Sequence, residues 1–311
     1  MPQGYLVGAG WCGQAVGRGR GRVHGLIDFM DPNPLLAETR RRLRQSDLKA
    51  RKGLGQHFLI DGGVLGTIIA TAALKNDDVV VEVGPGLGVL TKELAQRAGR
   101  VIAIELDDGL AALLKKTLKS FPNVSIINGD VLKIAPEEIT KGRGYKVVAN
   151  LPYYITSPVL RHFLEASVKP RAMVVMVQKE VAEAIAAKPG DMSLLSVSVQ
   201  FYGEPEIISI VPPDSFYPAP EVSSAVVKID VYPKPKVDVE EKGFFDTVRA
   251  GFSAPRKQIA NSLAKGLGRE KAEVLPWLQK AQIEPSRRAE TLTIEEWAGL
   301  WRTLGGKHAH G

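Results

Sequence analysis

The 311-residue chain holds one cysteine, Cys12. A disulfide framework and a cysteine-rich zinc site are therefore excluded, and a reducing compartment is expected. No apolar run approaches the roughly 18 residues of a membrane span. Residues 1–29 also lack the apolar core of a secretory signal. Acidic side chains are outnumbered at both ends. Residues 1–52 carry ten Lys/Arg against four Asp/Glu, and residues 233–311 carry 14 against 10. The stretch between them carries 17 against 20. Basic ends on a faintly acidic body suit a polyanionic partner such as nucleic acid, or a merely solvated surface.

With 44% apolar and 24% charged residues, the composition is that of a globular protein with a sizeable core. Residues 1–49 read as a basic, disordered extension dispensable for activity, with Gly-Arg repeats at Gly17–Arg22 and a short basic helix candidate over Glu38–Arg51. A transit peptide, or translation from Met30, are alternative readings of its first part. From Asp77 strands and helices alternate. Strands are predicted at 79–83, 101–104, 124–127, 146–149 and 173–177, with helices between them. This pattern means βαβ units in a doubly wound, mostly parallel α/β sheet, occupying residues 50–232. Ser193–Tyr202 is ambiguous between helix and strand. Ile207–Val211 and Ala225–Ile229 read as closing strands. Tyr232-Pro233-Lys234-Pro235-Lys236 is a stiff linker to a small all-α region over 233–311, in which Thr293 and Glu296 form a capping box.

In such a sheet, ligands bind beyond the carboxyl ends of the strands. Three successive strand ends carry suitable residues. The first runs into Glu82-Val83-Gly84-Pro85-Gly86-Leu87-Gly88, a glycine loop or a plain tight turn. Val89 stands where a dinucleotide fingerprint has its third glycine, so nothing here asks for a pyrophosphate. Glu105 ends the second strand, 21 residues after Gly84, where an acid can accept both hydroxyls of a ribose. Asp130 ends the third and can accept from an adenine amine or cap the turn at Gly129. Together they describe an adenosine cleft that favours S-adenosylmethionine over NAD.

The fourth strand ends in Asn150-Leu151-Pro152-Tyr153. The lone pair of adenine N6 is delocalised into the ring. An Asn150 side-chain oxygen and the Leu151 carbonyl can accept its two hydrogens and aim the lone pair at a methyl group. Pro152 stiffens the turn without a competing N–H. Tyr153 can stack on the base, worth about 1–3 kcal/mol. A structural turn walled by Tyr153 and Tyr154 is the bland alternative.

These motifs resemble the ribosomal RNA adenine dimethyltransferases, in particular their small-subunit (16S) branch. Five landmarks match in order: Gly55-Gln56-His57-Phe58-Leu59, the glycine loop, the Asn150 tetrad, Phe216-Tyr217-Pro218-Ala219-Pro220-Glu221-Val222-Ser223-Ser224, and Arg288-Ala289-Glu290-Thr291-Leu292. The resemblance spans about residues 50–305 and leaves 1–49 without a counterpart. It implies a class I S-adenosylmethionine-dependent methyltransferase fold. It implies cofactor contacts at Gln56, His57, Leu59, Gly84, Gly86, Glu105, Leu106, Asp130, Val131 and Asn150. Phe216 would close over a flipped adenine opposite Tyr153 and join Asn150, Leu151, Pro152 and Tyr153 as the catalytic set. Arg249, Arg256 and Lys257, taken as lying on the first helix of the α-helical region, are candidate phosphate contacts. The implied partner is small-subunit rRNA or an assembling 30S subunit, in the cytoplasm, for a monomer without metal or membrane. The implied product is N6,N6-dimethyladenosine at two adjacent adenines.

Two departures stand out. The family often shows two arginines before the lysine where this chain has Pro255-Arg256-Lys257, and the loop 188–192 is short and lacks a Tyr-Gly-Arg. The rivals are the large-subunit (23S) macrolide-resistance branch and an RNA-binding assembly factor without catalysis. The former usually has Lys at the place of Leu87 and Asn-Ile-Pro-Tyr for the tetrad, and the intact tetrad opposes the latter. An NAD-dependent oxidoreductase is more distant.

Overall fold

A computed structural model describes residues 33–45 and 56–305. Gly55, the tail before Asn33 and the end of the Glu38–Arg51 helix candidate lie outside the described residues. The first element is helix α1 (Pro34–Gln45). Within 33–45, the chain is thus helical and packed rather than disordered, for reasons given with the site below.

A two-residue strand, β1 (Phe58–Leu59), leads into α2 (Gly62–Ala72). The sequence reading did not anticipate α2, which carries three glycines and so has poor intrinsic propensity. Tertiary contact overrides this. Asp61 caps the helix by accepting from Gly63 and Val64 N–H, and Ile68 is fully buried.

The sheet then builds in sequence: β2 (Val79–Val83), α3 (Val89–Ala95), β3 (Arg100–Glu105), α4 (Asp108–Thr117), β4 (Val124–Asn128), α5 (Pro136–Thr140), β5 (Tyr145–Asn150), α6 (Thr156–Leu164), β6 (Ala172–Gln178), α7 (Lys179–Ile185), α8 (Leu194–Gln200), β7 (Gly203–Val211), the short β8 (Phe216–Tyr217) and β9 (Ser224–Val231). Strand order is β4-β3-β2-β5-β6-β9-β7. The first five run parallel, with Val81 opposite both Ile102 and Val147. Every residue of β2 is buried, as a strand covered on both faces requires. β9 is antiparallel to β6 and to β7, so the two closing strands form an antiparallel edge. The ambiguous 193–202 stretch is helix α8, fixed by a Ser193/Ser196 capping box.

Strand order reverses at β2, between β3 and β5. In a doubly wound sheet that reversal opens a crevice at the strands' carboxyl ends. The ends of β2 and β5 carry Gly84 and Asn150.

Helices α9 (Glu241–Gly251), α10 (Ile259–Leu267), α11 (Lys271–Lys280) and α12 (Ile294–Thr303) follow. The Thr293–Glu296 box forms as expected. The expected linker is held to the body: Tyr232 N–H donates to the Tyr202 carbonyl at 2.8 Å, and Lys236 N–H to that of Phe201 at 2.9 Å. Phe201 stacks on Phe244 with ring centres 4.8 Å apart. Val175, Val227, Phe244, Trp297 and Leu300 belong to one buried cluster, so these helices and one face of the sheet share an apolar core.

Candidate active site

The crevice is a cavity walled by four strand ends and by the segment that enters β1. Gln56, His57 and Leu59 line it from that segment, Gly84 and Gly86 from the loop after β2, and Glu105 and Leu106 from the end of β3. Asp130 and Val131 follow β4, and Asn150, Leu151, Pro152 and Tyr153 follow β5. All ten residues that the resemblance offered as cofactor contacts therefore face one cavity.

The loop after β2 is built for close approach. Gly84 and Gly86 have φ of 65° and 59°, which side chains rarely adopt. A Cβ on Gly84 would lie 3.3 Å from Pro152, and one on Gly86 would lie 3.1 Å from the Phe58 ring. The glycines thus let the loop touch both the tetrad and the β1 segment. Glu105 fixes the loop from the other side. Its carboxylate accepts from Gly86 N–H at 3.1 Å and from Asp107 N–H at 2.9 Å. Burial pushes its pKa up, and the nearby Asp107 charge adds to this. Asp130 accepts from Leu132 N–H at 3.0 Å, so its turn-capping role is real and leaves its second oxygen for a ligand.

Asn150 donates from its amide nitrogen to the His57 carbonyl at 3.2 Å. That bond orients the side chain so that its oxygen is the atom left to accept. The His57 ring stacks against Tyr153, centres 5.6 Å apart and 25° between planes. Its Nδ1 lies 2.7 Å from the Pro218 carbonyl and donates to it. The Tyr153 hydroxyl sits 2.6 Å from the Ser224 hydroxyl, and burial raises its pKa. Tyr153 is therefore held on one face and at its tip.

Three placements correct the sequence reading. Phe216 does not face the cavity. It is 3% exposed and packs in the apolar layer with Leu59, Leu65 and Val226, because it pairs with Leu59 in the β1–β8 ladder. Arg256 and Lys257 do not lie on the first helix of the α-helical region. α9 ends at Gly251, and both residues are exposed in the turn before α10. Arg249 is on α9, ion-paired with Asp246.

The third correction concerns α1. It braces the glycine loop. Arg42 donates to the Leu87 carbonyl at 2.6 Å. Glu38 accepts from Lys92 at 3.1 Å and pairs with Arg42. Partial burial opposes ionisation of Glu38, yet Lys92 and Arg42 hold its pKa below the usual carboxylate range. Leu43 packs against Phe58, Leu87 and Leu110, all cavity residues. Asn33 donates to the Ile60 carbonyl at 2.8 Å, and the Arg40 guanidinium lies 5.3 Å from the centre of the Tyr217 ring. The apolar spacing of Leu35, Leu36 and Leu43 was the signal available in the sequence, masked by the basic composition around it.

Glu82 was quoted only as part of the loop motif. It is 1% exposed, lines the cavity and has one oxygen without a hydrogen-bond partner. Burial, with a smaller push from Glu105, raises its pKa to about 8.

The fold, the adenosine-sized acceptor set and the tetrad together define a class I Rossmann-like methyltransferase. A family model described as ribosomal RNA adenine dimethylase matches residues 47–303, and the chain belongs to that family. Among curated relatives, the ribosomal RNA small subunit methyltransferase A of Dehalococcoides mccartyi (strain BAV1) is 56% identical over 274 residues, covering 88% of this chain and 94% of the relative. The protein of the same name from Desulfitobacterium hafniense (strain DCB-2) is 48% identical, over 84% and 94%. Among solved structures, a dimethyladenosine transferase from Plasmodium falciparum aligns with a TM-score of 0.67 at 26% identity, over 78% of this chain and 96% of that one. The 23S rRNA methyltransferase ErmE aligns with a TM-score of 0.64 at 29% identity, over 80% and 99%. The protein is a methyltransferase enzyme, and rRNA adenine N6 dimethylation is the general activity of its family. No helix among the described residues is long and apolar enough to cross a membrane.

Proposed function

We propose that the protein transfers methyl groups from S-adenosylmethionine to N6 of two adjacent adenines in a hairpin near the 3′ end of small-subunit (16S) rRNA. The product is N6,N6-dimethyladenosine, and the role is in ribosome biogenesis in the cytoplasm. The observation that carries this reading is Asn150. Its amide nitrogen is engaged by the His57 carbonyl and its oxygen is left for a substrate amine, in the same cavity as the glycine loop and Glu105. Identity of 56% to a small-subunit methyltransferase supports the choice of rRNA.

The cavity suits this cofactor. A Cβ at Gly84 or Gly86 would crowd Pro152 or Phe58, Glu105 is placed for ribose hydroxyls, and Asp130 for an adenine amine. Glu82 adds to the lining a buried oxygen without a hydrogen-bond partner. When bound, S-adenosylmethionine supplies a methyl group on a sulfonium, which is a good leaving group. Asn150 and the Leu151 carbonyl accept the N6 hydrogens and aim the lone pair. Tyr153 provides the stacking face for a base removed from its helix, an extrusion that costs a few kcal/mol. Positioning of this kind supplies most of the rate, so no strong base is required. We assign residues 233–311, with Arg249, Arg256 and Lys257, to rRNA phosphate contact by a monomer.

The test is methyl transfer from labelled S-adenosylmethionine to small-subunit particles lacking the modification, with 50S subunits and deproteinised 23S rRNA alongside. Dimethyladenosine from the small-subunit particles alone is expected. Product from 23S rRNA alone would move the protein to the resistance branch. Cofactor binding without any product would leave an assembly factor.

A further inference from the structure

Beside the cofactor cavity, α1 and α4 enclose a second, open groove. Arg41 and Arg42 line it from α1, and Gly109, Leu113, Lys116 and Thr117 from α4. Among the described residues, no carboxylate lines it. Arg41 and Lys116 are both exposed. Lys115 and Lys119 lie exposed on the same stretch of chain, and Arg44 on α1. Like charges set across a groove repel one another, and that repulsion is relieved when a polyanion enters. The groove shares a wall with the active site: Arg42 also holds the Leu87 carbonyl, and Gly109 adjoins Leu110, which lines the cofactor cavity.

We propose that the groove between α1 and α4 is a second rRNA-binding site, in which Arg41 and Lys116 clasp the phosphate backbone of a strand running past the cofactor. The inference rests on the rRNA substrate proposed above and adds a contact surface distant in sequence from the α-helical region. Along α4, Gly109 to Lys116 spans about 10 Å at about 1.5 Å per residue. The exposed Gln45 adds a neutral donor at the groove's edge, and the Arg41 and Lys116 charges would meet phosphates, whose recognition carries no sequence information. The site therefore binds without sequence preference, and its affinity depends steeply on salt.

The test compares the full chain with Arg41→Gln/Lys116→Gln in equilibrium binding to deproteinised small-subunit rRNA across a salt series. S-adenosylhomocysteine affinity and melting temperature are measured alongside. The double variant should bind rRNA at least about fivefold more weakly at physiological salt, with a log–log salt slope shallower by about two. Its S-adenosylhomocysteine affinity should be unchanged, and Arg41→Lys should retain wild-type rRNA binding. Wild-type rRNA affinity and slope in the double variant would overturn the site. Independently of any variant, ultraviolet cross-linking of the wild-type protein to small-subunit particles should attach rRNA to peptides from α1 or α4. Cross-links from those helices to a ribosomal protein alone would assign the groove to protein and overturn the proposal. Failure of the wild type to methylate small-subunit particles would instead count against the function proposed above, and is read in a separate assay.

Discussion

The side-chain amide of Asn150 donates to the main-chain oxygen of His57 at 3.2 Å, so the tetrad after β5 and the segment entering β1 are joined at the cofactor cavity. Two segments 93 residues apart thereby set one acceptor atom. Asn150→Ala removes that atom and the bond that aims it. Single-turnover methyl transfer is expected to fall at least about 100-fold, the scale on which loss of a positioned polar group at a reacting centre is felt. Isothermal titration with S-adenosylhomocysteine should show only modest weakening. Unchanged turnover would remove Asn150 from the chemistry.

Glu105 is bound to the glycine loop through Gly86 N–H, and acceptance from a ribose is the role proposed for it. Hydrogen bonds to a charged acceptor are worth about 1.5–3 kcal/mol, so Glu105→Ala should raise the S-adenosylhomocysteine dissociation constant at least about tenfold. Because burial raises the Glu105 pKa, the wild-type affinity should weaken as pH falls through that raised value, and the alanine variant should lose this component while keeping any that comes from Glu82. Titrations across pH 5–8 read both effects, and a flat wild-type profile would contradict the assignment.

Arg42 acts through Leu87. It does not line the cofactor cavity, but its bond to the Leu87 carbonyl and the Glu38 ion pairs hold the glycine loop. Arg42→Ala should weaken S-adenosylhomocysteine binding about fivefold, less than a full charge-assisted bond, because the loop keeps its bond to Glu105. Arg42→Lys should recover part of it. Deletion of residues 1–49 should weaken it at least as much, contrary to the expectation of a dispensable extension. Cofactor affinity equal to wild type in the deletion would show that the brace is idle.

Glu82 gives a stability prediction of definite sign. Its native pKa is about 8, against 4.5 for the unperturbed group. Between those values the folded chain binds the proton and the unfolded chain does not, so unfolding free energy falls as pH rises from 4.5 to 8. Glu82→Gln keeps the shape and removes the titration. Relative to it, the wild type should lose of the order of a few kcal/mol across that window. Urea denaturation of both proteins at pH 5 and pH 8 measures the difference, and parallel profiles would rule out a buried titrating carboxyl.

Much of this was legible in the sequence because the signals were local. The run Val79–Val83 can only be a strand covered on both faces, and Gly84, Glu105, Asp130 and Asn150 sit at strand ends where the fold puts ligands. What stayed hidden depended on contacts far along the chain. Phe216 looks like an exposed aromatic loop until its pairing with Leu59 turns it inward. α2 is glycine-rich and becomes a helix only under the sheet, where Ile68 is fully buried. α1 reads as a charged tail because its purpose is set by the Leu87 carbonyl, 45 residues away. The turn bearing Arg256 and Lys257 was misplaced although Gly251 and Pro255, both helix-stop residues, precede it.

The aromatic stack of Phe201 on Phe244, and the single cluster that takes in Val227 and Trp297, have a mechanical consequence. The carboxyl-terminal helices cannot swing as a hinged arm, for any rotation would tear a close-packed interior. They are a fixed jig. On the rRNA contact proposed for them, a strand they hold would reach the cavity at a set distance and angle, and fitting would come from the RNA bending to the protein. Heating should melt jig and sheet in one cooperative step, with a calorimetric enthalpy equal to the van't Hoff value.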